Sequence, residues 1–221
     1  MLPTPPELMI VRHLGLQPYV PVFDAMKRFT QVRASDTPDE LWFLEHEPVY
    51  TQGRAGKSQY VLAAGDIPVI NIDRGGQVTY HGPGQLTVYT LVDIKRLGTG
   101  VRSFVSLIED SLIATLRHWG LEAVPRADAP GVYIKGAKIG ALGLRIKQGR
   151  SYHGLNFNID MDMRPWAGIN ACGLDGKVTQ LSEQLPAEQM PTFNEVASVL
   201  LAELTKRLGA KQIQTTNQLP F

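Results

Sequence analysis

Cysteine is nearly absent: Cys172, in the stretch INACGL, is the single example in 221 residues. That excludes an internal disulfide and any zinc or iron–sulfur site built from several cysteines. No apolar run approaches the ~20 residues of a membrane-spanning helix. The opening residues, MLPTPPELMIVRHLG, hold neither a cationic n-region nor a long apolar h-region. Charge of one sign is not in excess either. Lys and Arg total 22 against 21 Asp and Glu, a formal net charge of +1, so no global field points to nucleic acid or a membrane surface. These absences together describe a cytoplasmic protein with no nucleic-acid and no membrane partner.

Several catalytic signatures are missing as well. GRAGKS, residues 53–58, has Thr51 where a phosphate-binding P-loop needs its first glycine. HGPGQLT has Thr87 where a dinucleotide fingerprint needs its last one. His46-Glu47-Pro48 is only a fragment of a zinc-protease motif, and its proline would break the helix such a motif requires. G-x-S-x-G is absent, which counts against a serine hydrolase.

What is present suits an ordinary globular core, with 43% hydrophobic and 19% charged residues. Alternating or continuous apolar stretches predict strands over 8–14, 41–46, 49–52, 68–72 and 86–94. Apolar residues at helical spacing predict helices over 18–35, 101–119 and 192–208, the last ending at a Gly209 cap. Residues 131–159 read as an antiparallel meander punctuated by glycine. Residues 73–85, DRGGQVTYHGPGQ, have no helical period and read as a loop. The mixed order favours α+β, with a mixed or antiparallel sheet flanked by helices, over a doubly wound sheet. Residues 1–221 read as a single catalytic domain; a turn-rich stretch around 183–191 marks a candidate small C-terminal subdomain from about residue 165.

Three segments carry candidate chemistry. RGGQVTYHGPGQ combines glycines, which let backbone approach a ligand closely, with the donors Arg74, Gln77, Thr79, Tyr80 and His81. KIGALG places Lys138 among small residues inside a strand, where an outward-facing lysine is the bland alternative. ACG holds the cysteine, and a lone cysteine is more often a small buried hydrophobe than a nucleophile. Charge would link the last two. A thiol with an ordinary pKa near 8.5 is about 3% thiolate at pH 7, and an adjacent ammonium lowers that value. Only the fold can bring positions 138 and 172 together.

RGGQVTYHGPGQ, followed in order by PRADAPGVYI (125–134), KIGALGLRI (138–146), YHGLNFNID (152–160) and ACG (171–173), resembles the lipoyl(octanoyl) transferases. The resemblance begins near LWFLEHEPVYTQGRAGK (41–57) and covers well over half of the chain. It implies the α+β fold shared with biotin and lipoate protein ligases. It implies transfer of an octanoyl group from acyl carrier protein to a lysine of a lipoyl domain, the first step of endogenous protein lipoylation. The lipoyl domains would be those of 2-oxoacid dehydrogenase E2 subunits and of the glycine cleavage H protein. The resemblance assigns Cys172 as the residue that becomes an acyl-thioester and Lys138 as the residue that activates it. It assigns the acyl pocket to Arg74, Gly75, Gly76, Gln77, Val78, Thr79, Tyr80 and His81, to Ala141, Leu142 and Gly143, and to Gly154, Leu155 and Asn156. No ATP, metal or other cofactor is implied; the octanoyl-phosphopantetheine of the carrier is substrate. The chain carries Asn156 where the family usually has a small residue, and Ala171 where it often has proline. His153 carries no assignment. Arg145, Lys147 and Arg150 are candidates for a basic patch facing an acidic partner. An ATP-dependent ligase of the same fold, a non-catalytic acyl-binding or lipoyl-domain-docking module, and a cysteine hydrolase are the alternatives.

Overall fold

A computed structural model gives the fold of residues 8–171 and 177–221. Eleven strands and three α-helices follow one another as β1 (Leu8–Gln17), α1 (Tyr19–Val32), β2 (Asp39–His46), β3 (Val49–Gln52), β4 (Val69–Asn71), β5 (Val78–His81), β6 (Gln85–Leu91), α2 (Val101–His118), β7 (Val124–Pro125), β8 (Gly131–Ile134), β9 (Ala137–Lys147), β10 (Arg150–Asn158), α3 (Phe193–Leu208) and β11 (Gln212–Thr216). Eight strands form one sheet in the order β11-β1-β2-β6-β10-β9-β8-β7, and β4-β3-β5 form a second. The large sheet is mixed. β1 runs parallel to β2 and β11, whereas β2, β6, β10, β9 and β8 pair antiparallel in turn.

Alternation along the strands sorts two cores onto two faces. Leu41 and Phe43 of β2 and Leu86 and Val88 of β6 join Phe104, Ile108 and Leu112 of α2 and Val196, Leu200 and Leu204 of α3. The intervening Trp42, Leu44, Tyr89 and Leu91 pack with Val22, Met26 and Phe29 of α1. α1 also supplies the long crossover that the parallel β1–β2 pair requires. The two hairpins of the meander turn at Lys135-Gly136 and Gln148-Gly149. All four residues have positive φ, the signature of the tight turns that match strand twist. α3 starts in a capping box, Thr192 with Glu195, and ends on Gly209 in the left-handed region.

Three strands differ from the sequence expectation: the two-residue β7, which pairs with β8, β5 and β11. Residues 73–85, read as a loop, contain β5, which pairs antiparallel with β3. The flanking glycines hide a strand of only four residues. β11 was not predicted, because QIQTT is polar and largely exposed, with no apolar alternation. Among the described residues its only strand partner is β1, about 200 positions away. Among the described residues, no helix is long and apolar enough to cross a membrane.

Candidate active site

The large sheet, the loop before β5 and the start of α2 enclose a cavity of about 380 Å³, within the range of small-molecule sites. Its floor follows from register. Ala141 of β9 faces Asn156 of β10, which faces Thr87 of β6; in the next row Gly143 faces Gly154, which faces Tyr89. Directly opposed residues share a face, and all six line the cavity.

Lys138 reaches this face because β9 is irregular. Tyr133 pairs with Lys138 but Val132 pairs with Gly140, so Ile139 is a bulged residue. Ile139 is fully buried in the main core, and a Cβ on Gly140 would lie 2.3 Å from Leu112 of α2. Two consecutive residues therefore face the helices, and Lys138 and Ala141, three apart, both face the cavity. A regular period of two would separate them; bulges re-aim side chains in this way. The Lys138 ammonium sits 3.4 Å from the carbonyl of Pro130 and over the ring of Tyr133. Cys172 lies outside the described residues. The chain runs into that segment from Ala171 and leaves it at Lys177, and both residues line the cavity. Beyond it, the backbone pairs on Lys138 itself: Lys138 N–H donates to the carbonyl of Lys177 (2.8 Å) and Thr179 N–H donates to the carbonyl of Lys138 (2.9 Å).

The residues before β5 form the opposite wall. The Arg74 guanidinium donates to the carbonyl and hydroxyl of Thr51 and to the carbonyl of Gly75. Gly75 N–H donates to the carbonyl of Leu144 (3.0 Å), tying this loop to β9. His81 is buried, and its partners fix its tautomer. Gln85 donates its amide to Asn158 and to the carbonyl of Tyr80, so its oxygen faces His81 and must accept from Nδ1–H (2.8 Å). Nε2 is then left as an acceptor for the Thr51 hydroxyl (3.2 Å). Burial, with nearby His46 and Arg74, pushes the His81 pKa well down. His81 is therefore a neutral link in a chain from Arg74 through Thr51, Gln85 and Asn158 to the carbonyl of Thr179.

Of the residues assigned by resemblance, Lys138 and those of the three pocket segments line the cavity with one exception. Tyr80 packs away from it, against Tyr50 and edge-on to Trp166. Asn156 turns its oxygen to the backbone N–H of Ala141 (3.0 Å). Of the candidate basic patch, Arg150 is occupied inside the fold, donating to the carbonyl of Arg33 and pairing with Asp93.

Sequence reasoning missed Tyr19 and Tyr89 of the far wall, and His46 behind them; His153, which carries no assignment from the sequence, lines the same wall. His46 Nδ1 lies 3.0 Å from the carbonyl of Gln17 and must donate to it. Nε2 therefore accepts from the Tyr89 hydroxyl (2.6 Å). Burial lowers the His46 pKa to about 4 and raises that of Tyr89, so both stay neutral at neutral pH. His153 has φ of 60°, stacks on Phe23 and bonds Asp73. No single stretch announces this wall, because its members come from four separate elements.

The model of the lipoyl protein ligase A/B catalytic domain matches residues 19–205. An octanoyltransferase of Azotobacter vinelandii is 55% identical over 93% of the chain and 94% of its own length. One from Ectopseudomonas mendocina is 52% identical over 92% and 98%. Among solved structures, a lipoate protein ligase of T. acidophilum superposes with a TM-score of 0.73 at 14% identity, covering 94% of this chain and 88% of that one. The biotin protein ligase of Aquifex aeolicus superposes with a TM-score of 0.56 at 11% identity, over 92% and 70%. At such identities these two likenesses speak for the fold alone.

Proposed function

The chain belongs to the lipoyl protein ligase A/B catalytic-domain family and is an enzyme of octanoyl transfer in protein lipoylation; from that premise we propose that Cys172 and Lys138 carry the transfer through a covalent acyl-enzyme. The donor is octanoyl-acyl carrier protein and the acceptor a lysine of a lipoyl domain. The observation that supports this reading is that Ala171 and Lys177, on either side of the segment bearing Cys172, line the same cavity as Lys138.

In the first half-reaction the Cys172 thiolate attacks the octanoyl carbonyl. A carbon–sulfur bond to Cys172 forms, the bond to phosphopantetheine breaks, and the leaving thiolate takes a proton. One thioester replaces another, so this step is close to isoenergetic. In the second, the lysine amine attacks acyl-Cys172. The amide forms, the carbon–sulfur bond breaks, and the amine proton returns to the site. Splitting the transfer lets one cavity serve two large partners in turn. Lys138 acts on the cysteine as a cation that favours the thiolate. Backbone N–H groups of the glycine-rich segments are the donors available to the developing oxyanion.

The test is incubation with octanoyl-acyl carrier protein and no acceptor, followed by intact mass and peptide mapping. One octanoyl group is expected on the peptide bearing Cys172, none in Cys172→Ala, and slow labelling in Lys138→Ala. Full transfer by Cys172→Ala, or a requirement for free octanoate and ATP, rejects the covalent path.

A further inference from the structure

One peptide group joins a buried carboxylate to Lys138. The N–H of Gly131 donates to Glu109 Oε1 of α2 at 2.9 Å. The carbonyl on the other side of that same peptide, Pro130 O, faces the Lys138 ammonium at 3.4 Å. Anion, amide and cation thus lie in series. A peptide held by an anion at its N–H end is polarised so that its carbonyl is a better acceptor, the usual cooperativity of linked hydrogen bonds. Glu109 is 6% exposed and sits on a helix facing the main core. A buried carboxylate is costly without partners, and among the described residues its hydrogen-bond partner is this peptide. Glycine is required at 131: φ is 146°, and a Cβ there would lie 2.7 Å from the carbonyl of Gly140 and 3.2 Å from Lys138 Cε. The lysine stem passes through the space a side chain would fill. Burial raises the Glu109 pKa, while the Gly131 bond and Lys138 oppose the rise.

We infer that Glu109 is a positioning residue for the reaction, orienting the 130–131 peptide and through its carbonyl holding the Lys138 ammonium at the cavity. The inference rests on the role proposed above for Lys138. Glu109 touches neither substrate nor the reacting atoms; it acts through the peptide.

Glu109→Gln separates charge from shape, because the amide oxygen still accepts from Gly131 N–H. A neutral acceptor makes a bond roughly half as strong as an ionised one, so the peptide is held and polarised less, and the rate constant of acyl-enzyme formation should fall about 10-fold or more as the ammonium shifts. KM for the octanoyl donor should stay within about two-fold, since the cavity wall is untouched. Asp110→Asn, the exposed neighbour on the same helix, removes an equal charge without touching the peptide and should match the unmodified enzyme. Protein with Glu109 intact provides a readout that does not depend on the Glu109 variant folding: the Gly131 amide resonance should move on Lys138→Met, because both ends of one peptide are coupled. A Glu109→Gln enzyme that acylates at the native rate, or a Gly131 resonance indifferent to Lys138→Met, overturns the inference. If Lys138→Met itself acylates normally, the proposed role of Lys138 falls instead, and the Gly131 resonance still reports whether the link exists.

Discussion

His153 reaches Asp73 across 80 positions of sequence, Nε2 standing 3.1 Å from Oδ1. The contact depends on a backbone irregularity. With φ at 60°, His153 abandons strand alternation and lies on the same side as its neighbour Tyr152, the two rings stacked at 5.0 Å. Tyr152 donates to the other oxygen of the same carboxylate. A non-glycine residue in the left-handed region costs on the order of 1 kcal/mol. Here it gives a two-handed grip on the residue immediately before Arg74, and so anchors the loop that forms one wall of the cavity.

This grip has a pH signature. Burial works against the Asp73 carboxylate, but the bonds from His153 and Tyr152 outweigh it and hold the pKa down to about 2, against an ordinary 3.8. A depressed carboxylate stabilises the fold above its unfolded pKa and loses that contribution as pH falls through the folded one. Asp73→Asn should therefore lower the melting temperature most at pH 5 and above. The gap from the native sequence should close between about pH 4 and pH 2. A gap that stays constant down to pH 2 would show that the charge is not what the grip holds.

His46 predicts a second acid effect, higher in pH. Burial lowers its folded pKa to about 4 from 6.5. Between those values the unfolded chain binds a proton that the folded chain refuses, so stability falls as pH drops through the window. For this fully buried group the loss at pH 4 is about 3 kcal/mol. Urea midpoints measured from pH 7 to pH 4 should fall steeply for the native sequence and less steeply for His46→Gln. Parallel curves would remove His46 as the cause, leaving His81, whose pKa burial also lowers.

The cavity floor distinguishes two glycines. A Cβ on Gly154 would lie 2.0 Å from the carbonyl of Val88, inside the β6–β10 pairing. Backbone cannot yield there without parting the strands, so Gly154→Ala should cost about 3 kcal/mol or more, the range of severe core overpacking. A Cβ on Gly143 would lie 2.9 Å from Arg74 Cδ, where a side chain can give way. Gly143→Ala should cost only about 1–2 kcal/mol in stability but disturb Arg74 and its bonds to Thr51. Melting temperature and KM for the octanoyl donor, measured on both variants, should rank them in opposite orders. Equal rankings would mean the Arg74 wall does not bear on substrate.

How much of this was legible in the sequence differs by element. α2 was predicted to within a residue, because Phe104, Ile108, Leu112 and Leu116 repeat at helical spacing and are all fully buried. The meander was legible from its glycine turns. β11 was not, since a polar edge strand is defined only by the partner it joins from the other end of the chain. The segments that line the cavity were legible through a family resemblance, each being a short contiguous motif. Glu109, Asp73, Tyr19 and Tyr89 were not: each is an ordinary residue for its element and gains meaning only from contacts made across the fold. Lys138 stands between these cases. Its motif was readable, but the bulge at Ile139 that turns it into the cavity was not.

Thr87 and Asn156 occupy one row of the cavity floor, and their polarity can be tested against substrate. Thr87 is 2% exposed, and among the described residues its hydroxyl has no hydrogen-bond partner. A buried hydroxyl left unpaired costs about 1–3 kcal/mol. Thr87→Val, nearly equal in volume, should therefore raise stability by about 1 kcal/mol and leave octanoyl transfer intact. Asn156 is different, because its oxygen holds the N–H of Ala141. Asn156→Ala removes that acceptor and side-chain volume together. It should cost about 1–2 kcal/mol through the stranded amide and widen the cavity floor on which the proposed acyl chain would lie. Transfer rates with donors of eight, ten and twelve carbons should then shift toward the longer chains in Asn156→Ala and not in Thr87→Val. An unchanged chain-length profile in Asn156→Ala would move the acyl tail away from this row. A loss of octanoyl transfer in Thr87→Val, with its stability gain intact, would mean that the orphan hydroxyl serves the substrate.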